Sequence, residues 1–306
     1  MTPGTSVTVR VPAKVNVQLA VGGVRADGFH PLANVFLAVG LYDEVTATPA
    51  DELRITCEGP GSEHVPLDRT NLAARAAVAL AELHGLAPDV HLHIAKDIPV
   101  AGGMAGGSAD AAGALLACEV LWGTRTSNDQ LLAICAELGS DVPFSYVGGA
   151  ALGVGRGEQL TPLDVGGEFH WVFAVADGGL STPAVYGEFD RLARDAGREV
   201  PAPEASEALL SALRAGDATA LAVALTNDLQ PAALSLRPSL AETLATGTDA
   251  GALAALVSGS GPTTAFLAKD AEAAARIAEV LLASGTCTAA RVAVAPAPGA
   301  VVVPVG

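Results

Sequence analysis

Four glycines, Gly102, Gly103, Gly106 and Gly107, fall within six residues, and Ser108 then opens an alanine-rich helical pattern that runs to Trp122-Gly123. Upstream, residues 90–94 alternate apolar and polar side chains with the period of a strand. The order strand, glycine loop, helix narrows what the chain can fold into, because it asks for a sheet with a helix packed back across it. It also points to chemistry. Glycines let backbone N–H groups converge on one concavity and let a bulky anion approach. A helix start adds unpaired donors and a partial positive charge. The loop from Pro99 through Val100, Ala101, Gly102, Gly103, Met104, Ala105, Gly106 and Gly107 to Ser108 is therefore a candidate phosphate cradle. It lacks the Gly-Lys-Ser/Thr ending of a P-loop and the acidic residue of a dinucleotide fingerprint. On this stretch alone, a flexible turn ahead of a helix is the open alternative.

The chain has 306 residues, half of them hydrophobic, enough for two domains or one large one with a sizeable core. Charged residues make up 16% and alanine about a fifth, a profile that excludes a disordered chain, a coiled coil and a collagen-like repeat. Period-two patterning predicts strands at 7–11, 15–19, 44–48, 53–57, 90–94, 170–176, 264–267 and 291–295. Helices are predicted over 71–84, stopped by Gly85, from the capping box at Ser127 to Gly139, and after Thr182-Pro183, read as N-cap and first helical residue. Others start near Glu204, Asp217 and Pro238 and cover 271–283. Strands and helices interleave in both halves, which predicts an α+β fold of α/β two-layer type. Glycines at 155–157 and 166–167 place a boundary between domains at 1–160 and 167–306.

Lys and Arg number 17 against 33 Asp and Glu, a formal charge of −16. That balance argues against a nucleic-acid partner, although a few cations in a cleft can still reverse the local sign for a small anion. The N-terminal stretch lacks the marks of a signal peptide and no apolar run is long enough for a bilayer, so a cytoplasmic chain without membrane contact is expected. Cys57, Cys118, Cys135 and Cys287 have no paired spacing and read as small apolar residues. His91 and His93 share a strand face without a third ligand and read as a partly exposed face. Lys14 and Asn16, two apart, project from one side of a strand, which by pattern alone would be a solvated face. Asp141, ahead of Val142-Pro143, has the setting of a turn cap. Ser258 to Pro262 forms a second small-residue loop where backbone can approach a ligand.

In order and spacing, five stretches carry a resemblance: Pro12-Ala13-Lys14-Val15-Asn16, Arg25-Ala26-Asp27-Gly28-Phe29-His30, the glycine loop, Gly139-Ser140-Asp141-Val142-Pro143 and the Ser258 loop. Together they resemble the GHMP superfamily of small-molecule kinases and, within it, the 4-diphosphocytidyl-2-C-methyl-D-erythritol kinases of non-mevalonate isoprenoid biosynthesis. The resemblance implies two lobes with the active site in the cleft between them. It implies ATP and Mg2+ as cofactors, and phosphorylation of the 2-hydroxyl of a cytidine-diphosphate-linked methylerythritol. It places the glycine loop on the ATP phosphates, Asn71 and Lys96 at the adenine end, and magnesium with the nucleotide near Ser108 rather than in a protein cage. It makes Asp141 the catalytic aspartate and Lys14 its charged partner. Asn16, Phe29, His30 and Thr182 fall on the substrate side, Phe29 stacking on cytosine and His30 bonding its edge. A monomer or homodimer is expected.

This chain departs from the family in having Phe29 for Tyr, Ala101 and Ala105 for Gly, and Ala109 for Ser. The methyl groups predict that Ala101 and Ala105 avoid left-handed backbone. Alternatives are a homoserine, mevalonate or sugar kinase, an inactive ligand sensor on the same fold, or a nucleic-acid binder. The Phe29-His30 pair, the Lys14-Asp141 pair and the charge argue against them in turn.

Overall fold

The computed structural model describes residues 6–100 and 102–304. Valines at every second position build one long strand where two were expected. β1 (Val7–Val21) runs unbroken through Pro12. The proline is tolerated because pairing with β2 (Leu32–Pro49) slips between Pro12 and Ala13, and slips again between Asn16 and Gln18. The predicted 44–48 strand is only the end of β2. The first half of β2 is buried on both faces and so carries no alternation, whereas the second half alternates.

β3 (Arg54–Glu58), α1 (Leu72–His84), β4 (Val90–Ala95) and α2 (Gly106–Trp122) follow. Then come α3 (Asn128–Leu138), the short α4 (Val142–Val147), β5 (Ala150–Val154) and β6 (Gln159–Pro162). The stop at Gly85 and the Ser127-Gln130 capping box on α3 are in place as read from sequence, whereas Asn71, expected as the first helical residue, is instead the N-cap of α1. α2 lies directly on the sheet. A Cβ on Gly113 would stand 2.8 Å from Val45 and 3.0 Å from Val11. Buried alanines such as Ala77 on α1 and Ala114 on α2 let the two helices approach each other.

The second half begins with β7 (Phe169–Val175) and α5 (Thr182–Asp195), whose N-cap position is Ser181 rather than Thr182, with no side-chain capping bond. α6 (Glu207–Ala215), α7 (Ala218–Ala224), β8 (Thr226–Asn227), α8 (Gln230–Leu236) and α9 (Leu240–Asp249) follow. The chain closes with β9 (Ala254–Val257), β10 (Thr264–Ala268), α10 (Ala271–Ser284), β11 (Ala289–Ala295) and β12 (Val301–Val302). The first sheet has the order β12-β1-β2-β4-β3, with β5 and β6 extending from β2 and β8 beside β1. The second is an antiparallel sheet, β11-β7-β10-β9. The first sheet thus recruits β8 and β12 from beyond residue 167. Trp171 is fully buried, but in the large core that joins the first sheet and its helices to one face of the second sheet rather than in a core of the second half alone. Among the described residues no helix is long and apolar enough to cross a membrane.

Candidate active site

A cleft of about 810 Å³ opens between the two halves. Its floor is the polar side of β1, which the sequence left as a solvated face. Lys14 and Asn16 are instead buried, because the Ser258 loop covers them. A Cβ on Gly259 would stand 3.2 Å from Asn16 Oδ1 and 3.3 Å from Lys14 Nζ. The two pairing slips bracket this segment, the kind of irregularity that re-aims side chains beside a site. Lys14 Nζ donates to Asn16 Oδ1 at 2.6 Å and to the Gly103 carbonyl at 2.9 Å. It faces Asp141 Oδ2 at 3.6 Å. Asn16 in turn donates to Asn34 Oδ1 at 2.7 Å. Burial pushes the Lys14 ammonium below its usual range, and the Asp141 charge offsets part of that.

The glycine loop is held against the second half. Gly103 has φ +74, and a Cβ there would fall 2.1 Å from the Ser258 carbonyl oxygen. Ser258 Oγ donates to the Gly103 carbonyl at 3.1 Å. Ala105 overturns the expectation drawn from its methyl group. It sits at φ 63, ψ 31, in left-handed backbone, as the N-cap of α2. That costs about 1–2 kcal/mol for a residue with a Cβ, and such strain collects at functional sites. No side chain caps α2, so the first-turn N–H groups of Gly106, Gly107 and Ser108 open onto the cleft. Ala101 lies outside the described residues.

Asp141 is the N-cap residue of α4 by position, yet its side chain makes no capping bond. The turn-cap role suggested by its setting is therefore absent, and a one-third-exposed carboxylate faces Lys14. Beyond it lies an aromatic pocket. Phe29 and His30 follow a tight turn at Gly28, φ +81, in which Asp27 Oδ1 accepts from the Phe29 N–H at 3.0 Å. Phe29 is 50% exposed. His30 Nδ1 lies 2.8 Å from the Gly22 carbonyl. That oxygen can only accept, so Nδ1 carries the proton and Nε2 is left toward Asp190 at 3.4 Å. Thr182 reaches the covering loop through Ser260, 2.9 Å between hydroxyls.

Five expected nucleotide residues are not on the cleft lining. Met104 is fully buried in the core and Pro99 and Val100 lead into the loop behind it. Asn71 spends its side chain capping α1, accepting from Ala73 N–H and donating to the Pro66 carbonyl. Lys96 is turned into the protein beneath Gly106. Its ammonium meets Asp43 at 2.5 Å and Asp110 at 2.8 Å. Asp43 also accepts from the backbone N–H groups of Asp97 and Ile98, whereas Asp110 Oδ1 has no hydrogen-bond partner among the described residues. Burial, opposed by Lys96, pushes Asp110 up to about 7. Burial works against the Lys96 charge too, but its two carboxylates outweigh it and hold the group above its usual range. Lys96 stays charged, and Asp110 is the partner that yields. Lys96→Met should therefore destabilise the fold by about 3–5 kcal/mol, the cost of stranding buried charge. Urea unfolding measures it, and a loss below about 1 kcal/mol would mean the two acids need no counter-ion.

Among the lining residues that escaped the sequence reading are Asn34, Tyr186, Asp190 and Arg156. Thr182, Tyr186 and Asp190 recur every four residues on one face of α5, beside the stripe that Val185, Phe189 and Ala193 bury. That spacing was the available signal. The Tyr186 and His30 rings lie 5.0 Å apart. His91 and His93 both bond Thr56 Oγ1 on a partly exposed strand face. Cys118 and Cys135 are buried as expected, but Cys57 and Cys287 are only half-buried.

Residues 71–149 match the GHMP kinases N terminal domain and residues 209–286 the GHMP kinases C terminal domain. A 4-diphosphocytidyl-2-C-methyl-D-erythritol kinase of Streptomyces avermitilis is 79% identical over 297 residues, covering 97% of this chain and 99% of the relative. The crystal structure of a 4-(cytidine 5'-diphospho)-2C-methyl-D-erythritol kinase superposes with a TM-score of 0.76 at 33% identity, covering 94% of this chain and 99% of that one. A homoserine kinase from Cytophaga hutchinsonii shares the fold alone, with a TM-score of 0.73 at 20% identity and 97% of each chain covered.

Proposed function

Because the chain belongs to the GHMP kinases, in the family of 4-diphosphocytidyl-2-C-methyl-D-erythritol kinases, we propose that Asp141 and Lys14 carry transfer of the ATP γ-phosphate to the 2-hydroxyl of that cytidylyl alcohol. The chain is a small-molecule kinase of the non-mevalonate pathway. The observation that carries the site assignment is the uncapped Asp141 carboxylate, 3.6 Å from a buried ammonium that also grips the glycine loop.

An alcohol is far too weak an acid to be deprotonated beforehand by a carboxylate. Asp141 orients the hydroxyl and accepts its proton late, as the new P–O bond forms. Lys14 favours the ionised carboxylate and opposes charge developing on the transferred group. The first-turn N–H groups of α2 receive phosphate oxygens. Asn71 and Lys96 support the nucleotide end from behind, through the α1 cap and the buried ion network. The donor set suits magnesium. The Ser108 hydroxyl and the Asp141 carboxylate line the phosphate end, and among the described residues no three His, Cys, Asp or Glu converge on a cage. A hard cation that keeps its waters and takes phosphate oxygens needs only one or two such ligands, and it would supply charge neutralisation. Residues 1–160 and 167–306 form the two lobes, the second lending β8 and β12 to the first lobe's sheet, in a cytoplasmic enzyme.

On the substrate side, Phe29 offers a ring face and His30, with Asp190 beside its Nε2, a polar edge for the hydrogen-bonding groups of cytosine. Asn16 and Thr182 border the alcohol. A panel of alcohols with ATP, read as ADP release, tests this. The cytidylyl compound should far exceed 2-C-methyl-D-erythritol 4-phosphate, homoserine, mevalonate and galactose, because binding energy remote from the reacting hydroxyl also positions it. Phe29→Ala should weaken the full substrate by about 1–3 kcal/mol, the worth of one stacked base. Phe29→Tyr should be tolerated, since the ring face remains. Equal turnover of the truncated alcohol would remove Phe29 and His30 from the site.

A further inference from the structure

The substrate proposed above brings a diphosphate into a chain of net charge −16, and that bridge needs a partner of its own. The cleft is lined by two acids, Asp141 and Asp190, and two basic side chains, Lys14 and Arg156. Lys14 has nothing to spare. Its three N–H donors already face Asn16, the Gly103 carbonyl and Asp141. Arg156 is differently placed. It stands at the tip of the β5–β6 hairpin between Gly155 and Gly157, whose φ values of +74 and +108 make the tight turn. The Gly155 carbonyl accepts from the Leu32 N–H at 2.9 Å, fixing the tip beside the Phe29-His30 turn.

The Arg156 guanidinium carbon lies 5.2 Å from the centroid of the Phe29 ring. Its Nε is 3.9 Å from Glu158 Oε2, beyond hydrogen-bond reach, because that oxygen accepts from the Arg156 backbone N–H at 2.7 Å. Among the described residues the guanidinium makes no hydrogen bond, and the side chain is 38% exposed. Five donors are thus parked on an aromatic face at the rim of the pocket, held by a cation–π contact that a phosphate can outbid. A guanidinium matches two phosphate oxygens at once, which an ammonium does not.

We propose that Arg156 binds the diphosphate of the cytidylyl substrate and sets the enzyme's preference for a nucleoside diphosphate over a bare nucleoside. This rests on the substrate reading above. Arg156 touches neither the reacting hydroxyl nor the ATP phosphates, so its effect belongs in KM for the alcohol.

The test uses the whole protein and two probes, CDP and cytidine, titrated by calorimetry. In Arg156→Gln, CDP affinity should fall about 10- to 100-fold, the range for a hydrogen bond to a charged group, while cytidine affinity stays within about twofold. Arg156→Lys should recover part of the CDP loss. KM for the cytidylyl alcohol should rise in Arg156→Gln with kcat and KM for ATP nearly unchanged. If CDP and cytidine weaken together, Arg156 merely backs the Phe29 ring and the proposal is overturned; unchanged CDP affinity overturns it too. Failure of the parent protein to bind CDP at all would instead strike the substrate reading, and this assignment with it.

Discussion

Asp141→Asn should bind ATP as the parent does and turn over about 10²–10⁴-fold more slowly, the range for loss of a general base. The amide keeps the shape and cannot take the proton. The start of α4 should be unharmed, since the Asp141 side chain caps nothing. A second consequence follows from Lys14. Burial already lowers its pKa, and Asp141 is what pulls it back up. Without that charge the ammonium is lost at lower pH, so the alkaline limb of residual activity should move toward neutrality. Single-turnover rates across pH measure both effects. Near-normal turnover would leave Asp141 a turn residue.

Gly103→Val should abolish nucleotide binding while much of the fold survives. The position has φ +74, which a β-branched residue strongly resists. The new Cβ would lie 2.1 Å from the Ser258 carbonyl oxygen, which is backbone and cannot rotate away. The loop must leave Ser258 and Lys14, both of which now donate to the Gly103 carbonyl. Misplacing even one preorganised donor costs about 10²–10³ in rate, so kcat/KM for ATP should drop by at least that much. Titration with a non-hydrolysable nucleotide, alongside circular dichroism, separates lost binding from lost fold. Unchanged affinity would move the phosphate site elsewhere.

Much of the architecture was legible because its signals are local. Ser127 and Gly85 cap helices where their side chains or backbone freedom say they should. Edge-like strands showed themselves by alternation. The buried half of β2 did not, since a strand covered on both faces has no polar side to count. α8 was missed; it is a single short element of Gln230–Leu236.

The sequence by itself determined the inventory of the site: a glycine loop running into a helix, a lysine and an asparagine on one face of a strand, an aspartate before a proline, an aromatic-histidine pair. Their order and spacing carried the family and hence the reaction. Only the tertiary structure decided where each stands and what it touches. The polar side of β1 becomes a cleft floor because the Ser258 loop, far along the chain, closes over it. Ala105 takes the left-handed backbone its methyl group disfavours because the loop is clamped at Gly103 and must still turn into α2. Lys96 faces inward because Asp43 and Asp110, on different elements, out-compete any ligand for its ammonium. Arg156 reaches the substrate pocket because a hairpin tip is pinned to Leu32. In each case the deciding neighbour is remote in sequence, and the energy of a buried polar group depends on which neighbour it meets.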